Sequence, residues 1–264
     1  MTESLVIEER RIRRLTFKPK ISSVEIIDEV ALDQSTCIFV NGDYHVTLIS
    51  TSTMKRELAT GYLYSEGIID SAEDILSIKL REKDAHVELK KNVDLRTASV
   101  GRMNLIVTAC GSSPRASINQ VRSSKIMSSL QVEAEKILQM VTELTKRSQI
   151  HIRTGGTHGA MLCSETGEVL TFAEDVGRHN AIDKVVGSMV LKKKTLSDCV
   201  LISSGRQSGE MVQKAVKAQI PIIASMAAPL SSGIKLADMA GITLVCFARG
   251  KRIQIYTNPE RIII

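Results

Sequence analysis

The stretch CVLISSGRQSGEMVQKAVKAQIPIIASMAAPLSSGIKLADMAGITLVCFARGKR, Cys199 to Arg252, decides the fold class. "CVLISS", "PIIASMA" and "ITLVCFA" are short apolar runs with the composition of buried strands, and "EMVQKAVKAQ" and "SGIKLADMA" between them have helical length and pattern. Parallel neighbours need a crossover, so strands alternating with helices imply a parallel sheet with helices on its faces. In such sheets ligands bind off the carboxyl ends of the strands, where "SSGRQSGE", "SMAAPLSSG" and "ARGKR" follow. Their Gly, Ser and Arg content suits phosphate. "SSGRQSGE" fits neither G-x-G-x-x-G nor G-x-x-x-x-G-K-[ST], which argues against an ordinary dinucleotide or P-loop site.

Toward the N-terminus, "HNAIDKVVGSMVLKK" reads as a helix and "GAMLCSETGEVLTFAED" as a hairpin turning at Thr166-Gly167. Leu130, Ala134, Ile137, Val141 and Leu144 share one face of a helix expected over Ser128 to Arg147. Before that, β-like runs ("SVEIIDEVAL", "CIFVNGDYHVTLIS", "AHVELKK", "NLIVTA") surround one helical piece, "MKRELATGYLYSEGII", and Asn41-Gly42 signals a hairpin. The expected architecture is α/β: a smaller β-rich α+β domain over residues 1–115, then an α/β domain over 116–264. The boundary falls near "SSPRASINQVRSS", rich in small polar residues.

With 264 residues, 43% hydrophobic and 24% charged, the chain can bury a real core. A formal charge of +6 favours anionic partners, although part of the excess sits in "ERRIRRLTFKPK", which reads as a solvated arm. There is no tryptophan, and four tyrosines and four phenylalanines do not build stacking platforms, so nucleic acid is not an expected partner. No secretory signal and no run of about 18 apolar residues is visible, so the expectation is a cytoplasmic protein away from membranes.

Five cysteines without a Cys-x-x-Cys pair suit a reducing compartment. Cys37, Cys163, Cys199 and Cys246 lie in apolar runs, where inert buried thiols are expected. Cys110, in "NLIVTACGSSPRAS", stands where a strand gives way to loop chemistry. A reactive thiolate needs access and a lowered pKa, and Arg115, Arg122 and a helix start at Ser113-Pro114 would favour one. On these residues alone the reactive and buried readings of Cys110 both stand. His158 and His179 are candidate ligands, bases or structural histidines, and His179 lies in a polar cluster with Glu174, Asp175, Arg178 and Asn180. A zinc deaminase needs H-x-E and P-C-x-x-C; neither occurs, so no directly held metal is expected.

"ELATGYLYSEGII", "VTACGSSPRAS", "RTGGTHGAML", "FAEDVGRHNAIDKVVG", "ISSGRQSGEMVQKA", "IPIIASMAAPLSS" and "LVCFARGKRIQIYTNPERI" span residues 57 to 262. Together they resemble the FdhD/NarQ formate dehydrogenase accessory sulfurtransferases. The resemblance implies a C-terminal three-layer α/β domain of cytidine-deaminase-like type, without the zinc site. It implies a sulfur carrier that takes sulfane sulfur from a cysteine desulfurase as a Cys110 persulfide. The sulfur then passes to bis-molybdopterin guanine dinucleotide, with Mo or W, destined for formate dehydrogenase. The family usually carries Cys-Gly-x-Cys-Gly-Lys-Ala-Ser; here the second cysteine is Ser113, which puts an internal disulfide mechanism in doubt and leaves single-cysteine carriage intact.

Two further groups are assigned to cofactor binding. "FARGKR" (Phe247, Ala248, Arg249, Gly250, Lys251, Arg252) offers three cations and a glycine for close backbone approach to a multiply anionic ligand. Arg178 and His179, at a helix start, suit phosphate or a polar pterin edge. The expected partners are the desulfurase, the formate dehydrogenase catalytic subunit and the cofactor; a homodimer is admitted. The rival readings are a cofactor-holding chaperone without sulfur transfer and, disfavoured by the missing zinc motif, a nucleotide-modifying enzyme of deaminase ancestry.

Overall fold

The computed structural model describes residues 6–90, 106–107 and 125–264. It begins with an antiparallel ribbon of β1 (Ile7–Thr16) and β2 (Ser22–Ala31). The basic run read as a solvated arm is, as far as Thr16, part of strand β1, where each residue finds a partner in β2, while its arginines stay exposed. Next come β3 (Gln34–Val40), β4 (Asp43–Ser50), helix α1 (Lys55–Ser65), β5 (Ile75–Arg81), β6 (Asp84–Leu89) and β7 (Ile106–Val107), with the sheet order β5-β6-β3-β4-β7. Asn41 and Gly42, at φ 52° and 89°, make the β3–β4 turn; two left-handed residues are what a tight hairpin requires. Ile38, Val40, Val46, Leu48 and Val87 pack under Leu58, Ala59, Tyr62 and Leu63 of α1.

The rest of the chain builds β8 (Val132–Glu133), α2 (Ala134–Arg147), α3 (Gln149–Thr154), β9 (His158–Cys163), β10 (Val169–Asp175), α4 (Arg178–Leu191) and β11 (Val200–Ser203). It continues with α5 (Gly209–Lys217), β12 (Ile222–Ser225), α6 (Ser231–Ala240), β13 (Thr243–Arg249), β14 (Arg252–Thr257) and β15 (Ile262–Ile263). The six-stranded sheet runs β10-β9-β11-β12-β13-β14, with β11, β12 and β13 parallel as the alternation requires. The helix expected from Ser128 starts only at Ala134. Val132 and Glu133 instead pair with Ile262 and Ile263, so Leu130 is buried from an extended segment.

Strand periodicity divides the core. Leu201, Ile223, Leu244 and Cys246 face α4, α5 and α6. Val200, Ile202, Ile222, Ala224 and Val245 face α2. This gives the three-layer α/β arrangement, a mixed α/β fold with six helices among the described residues.

Helix α4 is covered on both sides, and α1 packs against it so closely that side chains are excluded. A methyl at Gly61 would overlap the Asp183 carbonyl, and one at Gly187 would overlap the Glu57 carbonyl. Glycine inside a helix costs about 1 kcal/mol relative to alanine, which this backbone contact offsets. Charges buried at the same crossing are paired. Lys214 Nζ lies 2.8 Å from both oxygens of Asp183, whose Oδ1 also accepts from Ser65 Oγ at 2.8 Å.

Candidate functional site

The loops after β11, β12 and β13 are knitted into one edge. Gln207 N–H donates to Ala228 O at 3.0 Å and Leu230 N–H donates back to Gln207 O at 2.8 Å. Ser225 Oγ donates to Gly205 O at 2.8 Å, and Phe247 N–H donates to Ala227 O at 3.1 Å. Gly205 packs on the Arg178 side chain, where a methyl would come within 2.9 Å of its Cβ. His158 Nδ1 lies 3.1 Å from Ser204 Oγ, which also accepts the Gly159 N–H at 3.1 Å. The start of α4 and the "FARGKR" turn thus share one edge of the sheet, linked through Gly205, Ser225 and Ala227.

The "DVGRHN" cluster separates into two jobs. Asp175 Oδ1 accepts Gly177 N–H at 2.8 Å and Asn180 Nδ2 at 2.9 Å, and Oδ2 meets Lys184 Nζ at 2.6 Å, with both side chains fully buried. Lys184 also donates to Thr51 Oγ1 at 2.6 Å, and Asn180 to Ile49 O at 2.7 Å. Asp175 and Asn180 therefore brace the end of β4 against α4. Burial pushes the Lys184 ammonium below the usual lysine range, against the pull of Asp175.

His179 differs. Burial first, then the charges of Lys214, Arg178 and His158, push its imidazole down to about 3. The ring is neutral at physiological pH, so the 3.7 Å approach of Glu210 to Nε2 is not an ion pair. Nε2 is buried without a hydrogen-bond partner among the described residues, as is Gln207 Oε1. His158 is also held below its ordinary value, by burial and then Arg178.

"FARGKR" forms the end of β13, the turn and the start of β14. Phe247 (φ 49°) and Gly250 (φ 62°) are left-handed, and the ladder shifts register between Cys246 and Arg249. This irregularity lets the turn leave the sheet with Arg249, Gly250, Lys251 and Arg252 exposed. Arg249 lies over the Phe247 ring at 5.9 Å. Ala248 packs in the core on the α2 side, so its methyl cannot meet a ligand at this edge. A hollow beside α2, lined by Glu135, Glu143, Lys146, Arg147 and Glu168, is richer in acids and less suited to a polyanion.

Cys110, with Ser113, Arg115 and Arg122, lies outside the described residues. Burial pushes the thiols of Cys163 and Cys246 up to about 12 and that of Cys199 up to about 11. Cys37, expected to be buried, is half-buried, with Sγ 3.4 Å from Thr47 Oγ1. The Asp175–Lys184–Thr51 and Asp183–Lys214–Ser65 networks were missed in the sequence reading. Their signal was Asp183-Lys184 inside the apolar "NAIDKVVGSMV", since charges on a buried helix must be paired. No group of three or more His, Cys, Asp or Glu that could hold a metal occurs among the described residues. None of their helices is long and apolar enough to cross a membrane.

A mixed α/β fold with a cationic loop edge defines the class. Comparison with known proteins gives the family. The FdhD/NarQ family model matches residues 31–263, and the chain belongs to that family. It is similar to the sulfur carrier protein FdhD of Thermoplasma acidophilum, 35% identical over 96% of this chain and 93% of that protein. It is also similar to the sulfur carrier protein FdhD of Saccharolobus solfataricus, 38% identical over 89% of each. A crystal structure from Desulfotalea psychrophila, described as a proposed formate dehydrogenase accessory protein, superposes with a TM-score of 0.77 at 25% identity. That match covers 97% of this chain and 99% of the other.

Proposed function

We propose that the chain carries sulfane sulfur on Cys110, taking it from a cysteine desulfurase and passing it to bis-molybdopterin guanine dinucleotide bound at the cationic edge, for use by formate dehydrogenase. Such a protein acts as a cytoplasmic sulfurtransferase. Loading needs the Cys110 thiolate to attack the terminal sulfur of the desulfurase persulfide. The S–S bond breaks, the desulfurase cysteine leaves as thiolate, and the new persulfide forms on Cys110. In delivery the terminal sulfur leaves Cys110 as the thiolate returns, and the acceptor metal supplies the two electrons that make it sulfide.

The observation that carries the binding half is the pair of buried polar atoms without hydrogen-bond partners among the described residues, His179 Nε2 and Gln207 Oε1, on the edge that bears Arg249, Lys251 and Arg252. Buried polar groups are normally satisfied, and a ligand with donors and acceptors supplies what is missing. A neutral His179 offers a hydrogen bond to a pterin or phosphate group, and the exposed cations offer charge. For the sulfur half, thiols held near 11 or 12 stay protonated at neutral pH, which removes Cys163, Cys199 and Cys246 as nucleophiles.

The test is mass spectrometry after incubation with a desulfurase and cysteine. The expected product carries one extra sulfur atom on Cys110, and Cys110→Ala carries none and leaves formate dehydrogenase inactive. Full activation of formate dehydrogenase by Cys110→Ala would leave the cofactor-holding chaperone as the reading.

A further inference from the structure

We infer that the hollow at the amino end of α1 binds a phosphate monoester, its phosphate on the helix start and a short apolar body against Met54 and Leu80. The hollow has a volume of about 580 Å³, within the size range of small-molecule sites. Its floor belongs to the sheet face that packs under α1. Gln34 lies on that face because it is in step with Thr36 and Ile38 along β3. Its Nε2 is sealed from water without a hydrogen-bond partner among the described residues. A donor in that position calls for an acceptor. Gln34 is half-buried overall, so a turn about its last torsion carries the NH2 group to the hollow.

The rest of the lining supplies donors and positive charge. Helix α1 starts at Lys55 without a side-chain cap, and its N-cap, Met54, is left-handed at φ 55°. The first N–H groups of the helix therefore bring the positive end of its dipole to the hollow. Lys55 stands inside, where burial pushes its ammonium below the usual lysine range, Asp84 opposes the shift and Lys83 adds to it. Arg56 and Lys83 stand exposed at the rim. Glu57 and Glu82 line the hollow as well, so three cations meet two acids, which suits one small anionic group rather than a polyanion. A phosphate monoester carries a charge of about −1.5 to −2 at neutral pH on three acceptor oxygens, a match for three cations, an uncapped helix start and an amide donor. Met54 and Leu80, the latter 46% exposed, leave an apolar surface for the rest of the molecule.

The hollow shares no residue with the "FARGKR" edge, and the inference is independent of the sulfur reading. Phenyl phosphate titrated into the full chain, followed by amide NMR, separates the two places. Shifts are expected at the Lys55, Arg56 and Glu57 backbone amides and at the Gln34 side-chain amide, with inorganic phosphate and benzoate both binding there more weakly than phenyl phosphate. Lys55→Met with Lys83→Met should weaken that binding by about tenfold. Gln34→Leu should weaken it by about threefold and leave the melting temperature unchanged or raised, because it removes a buried donor that has no partner. Shifts confined to the "FARGKR" turn and the start of α4, no shift at α1 up to about 10 mM phenyl phosphate, or shifts at α1 indifferent to both variants would overturn the site. Benzoate binding there as tightly as phenyl phosphate would overturn the phosphate assignment.

Discussion

The α1–α4 junction and the carboxyl edge of the six-stranded sheet are both rich in buried polar groups, yet they are finished differently. At the junction each named charge has a counter-charge and further hydrogen bonds: Asp175 with Lys184, Thr51, Gly177 and Asn180, and Asp183 with Lys214 and Ser65. At the edge, His179 Nε2 and Gln207 Oε1 are sealed from water without a hydrogen-bond partner among the described residues. A satisfied network locks a fold, and an incomplete one waits for a group from outside. The contrast separates residues adjacent in sequence, with Asn180 belonging to the lock and His179 to the edge.

The largest effect expected is on the lock. Gly61→Val or Gly187→Val places a branched side chain inside a neighbouring helix backbone and should cost about 3 kcal/mol or more, read as a lowered denaturant midpoint. A loss below about 1 kcal/mol would mean the helices can part. Lys184→Met should cost about 3 kcal/mol by stranding Asp175, and adding Asp175→Asn should recover part of it. No recovery in the double variant would mean Asp175 acts through its other bonds and the pair is not a unit.

The sheet was legible because "CVLISS", "PIIASMA" and "ITLVCFA" are buried on both faces and so read as short apolar runs spaced by segments of helical length, and the Asn41-Gly42 turn because its backbone demands are local. The start of α2 was not, because pairing of Val132 and Glu133 with β15 is a contact between residues far apart in sequence that overrides helical spacing. Nor was β1, since a strand carrying six charged residues reads as solvated until its partner is known. At the site, the cations of "FARGKR" were visible as composition. The division of "DVGRHN" was not, because it depends on Ile49 and Thr51 arriving from another sheet.

The edge can be separated from the lock by pH. In the folded chain the His179 imidazole is held at about 3 against an ordinary 6.5, so the fold favours the neutral ring. Its contribution is fully present above pH 6.5 and is lost as pH falls toward 3, at up to about 1.4 kcal/mol per pH unit within that window. His179→Gln should flatten this part of the stability profile. An unchanged slope would show that the ring is solvated. Arg249→Ala with Arg252→Ala should weaken GDP binding by about 1–3 kcal/mol in titration calorimetry without moving the melting temperature, because both side chains are exposed. Unchanged affinity would detach the turn from the site.

The smallest effects are expected at the four thiols other than Cys110. Those of Cys163, Cys199 and Cys246 sit in the sheet core and are pushed up to about 12, 11 and 12, so at pH 8 almost none is thiolate. Iodoacetamide should leave them unmodified in the native protein and alkylate all three in denaturant. Cys37 is half-buried on β3, at 3.4 Å from Thr47 Oγ1, and should react slowly in the native state. Single serine replacements at the three buried positions should cost stability, by about 1–3 kcal/mol for a hydroxyl placed among apolar neighbours, and Cys37→Ser less. None of the four should change the amount of sulfur acquired from a desulfurase, because carriage needs a thiolate that can be reached. Native alkylation at Cys246 as fast as at Cys37 would show that the six-stranded sheet opens readily, and the division between a locked interior and a receptive edge would fail with it.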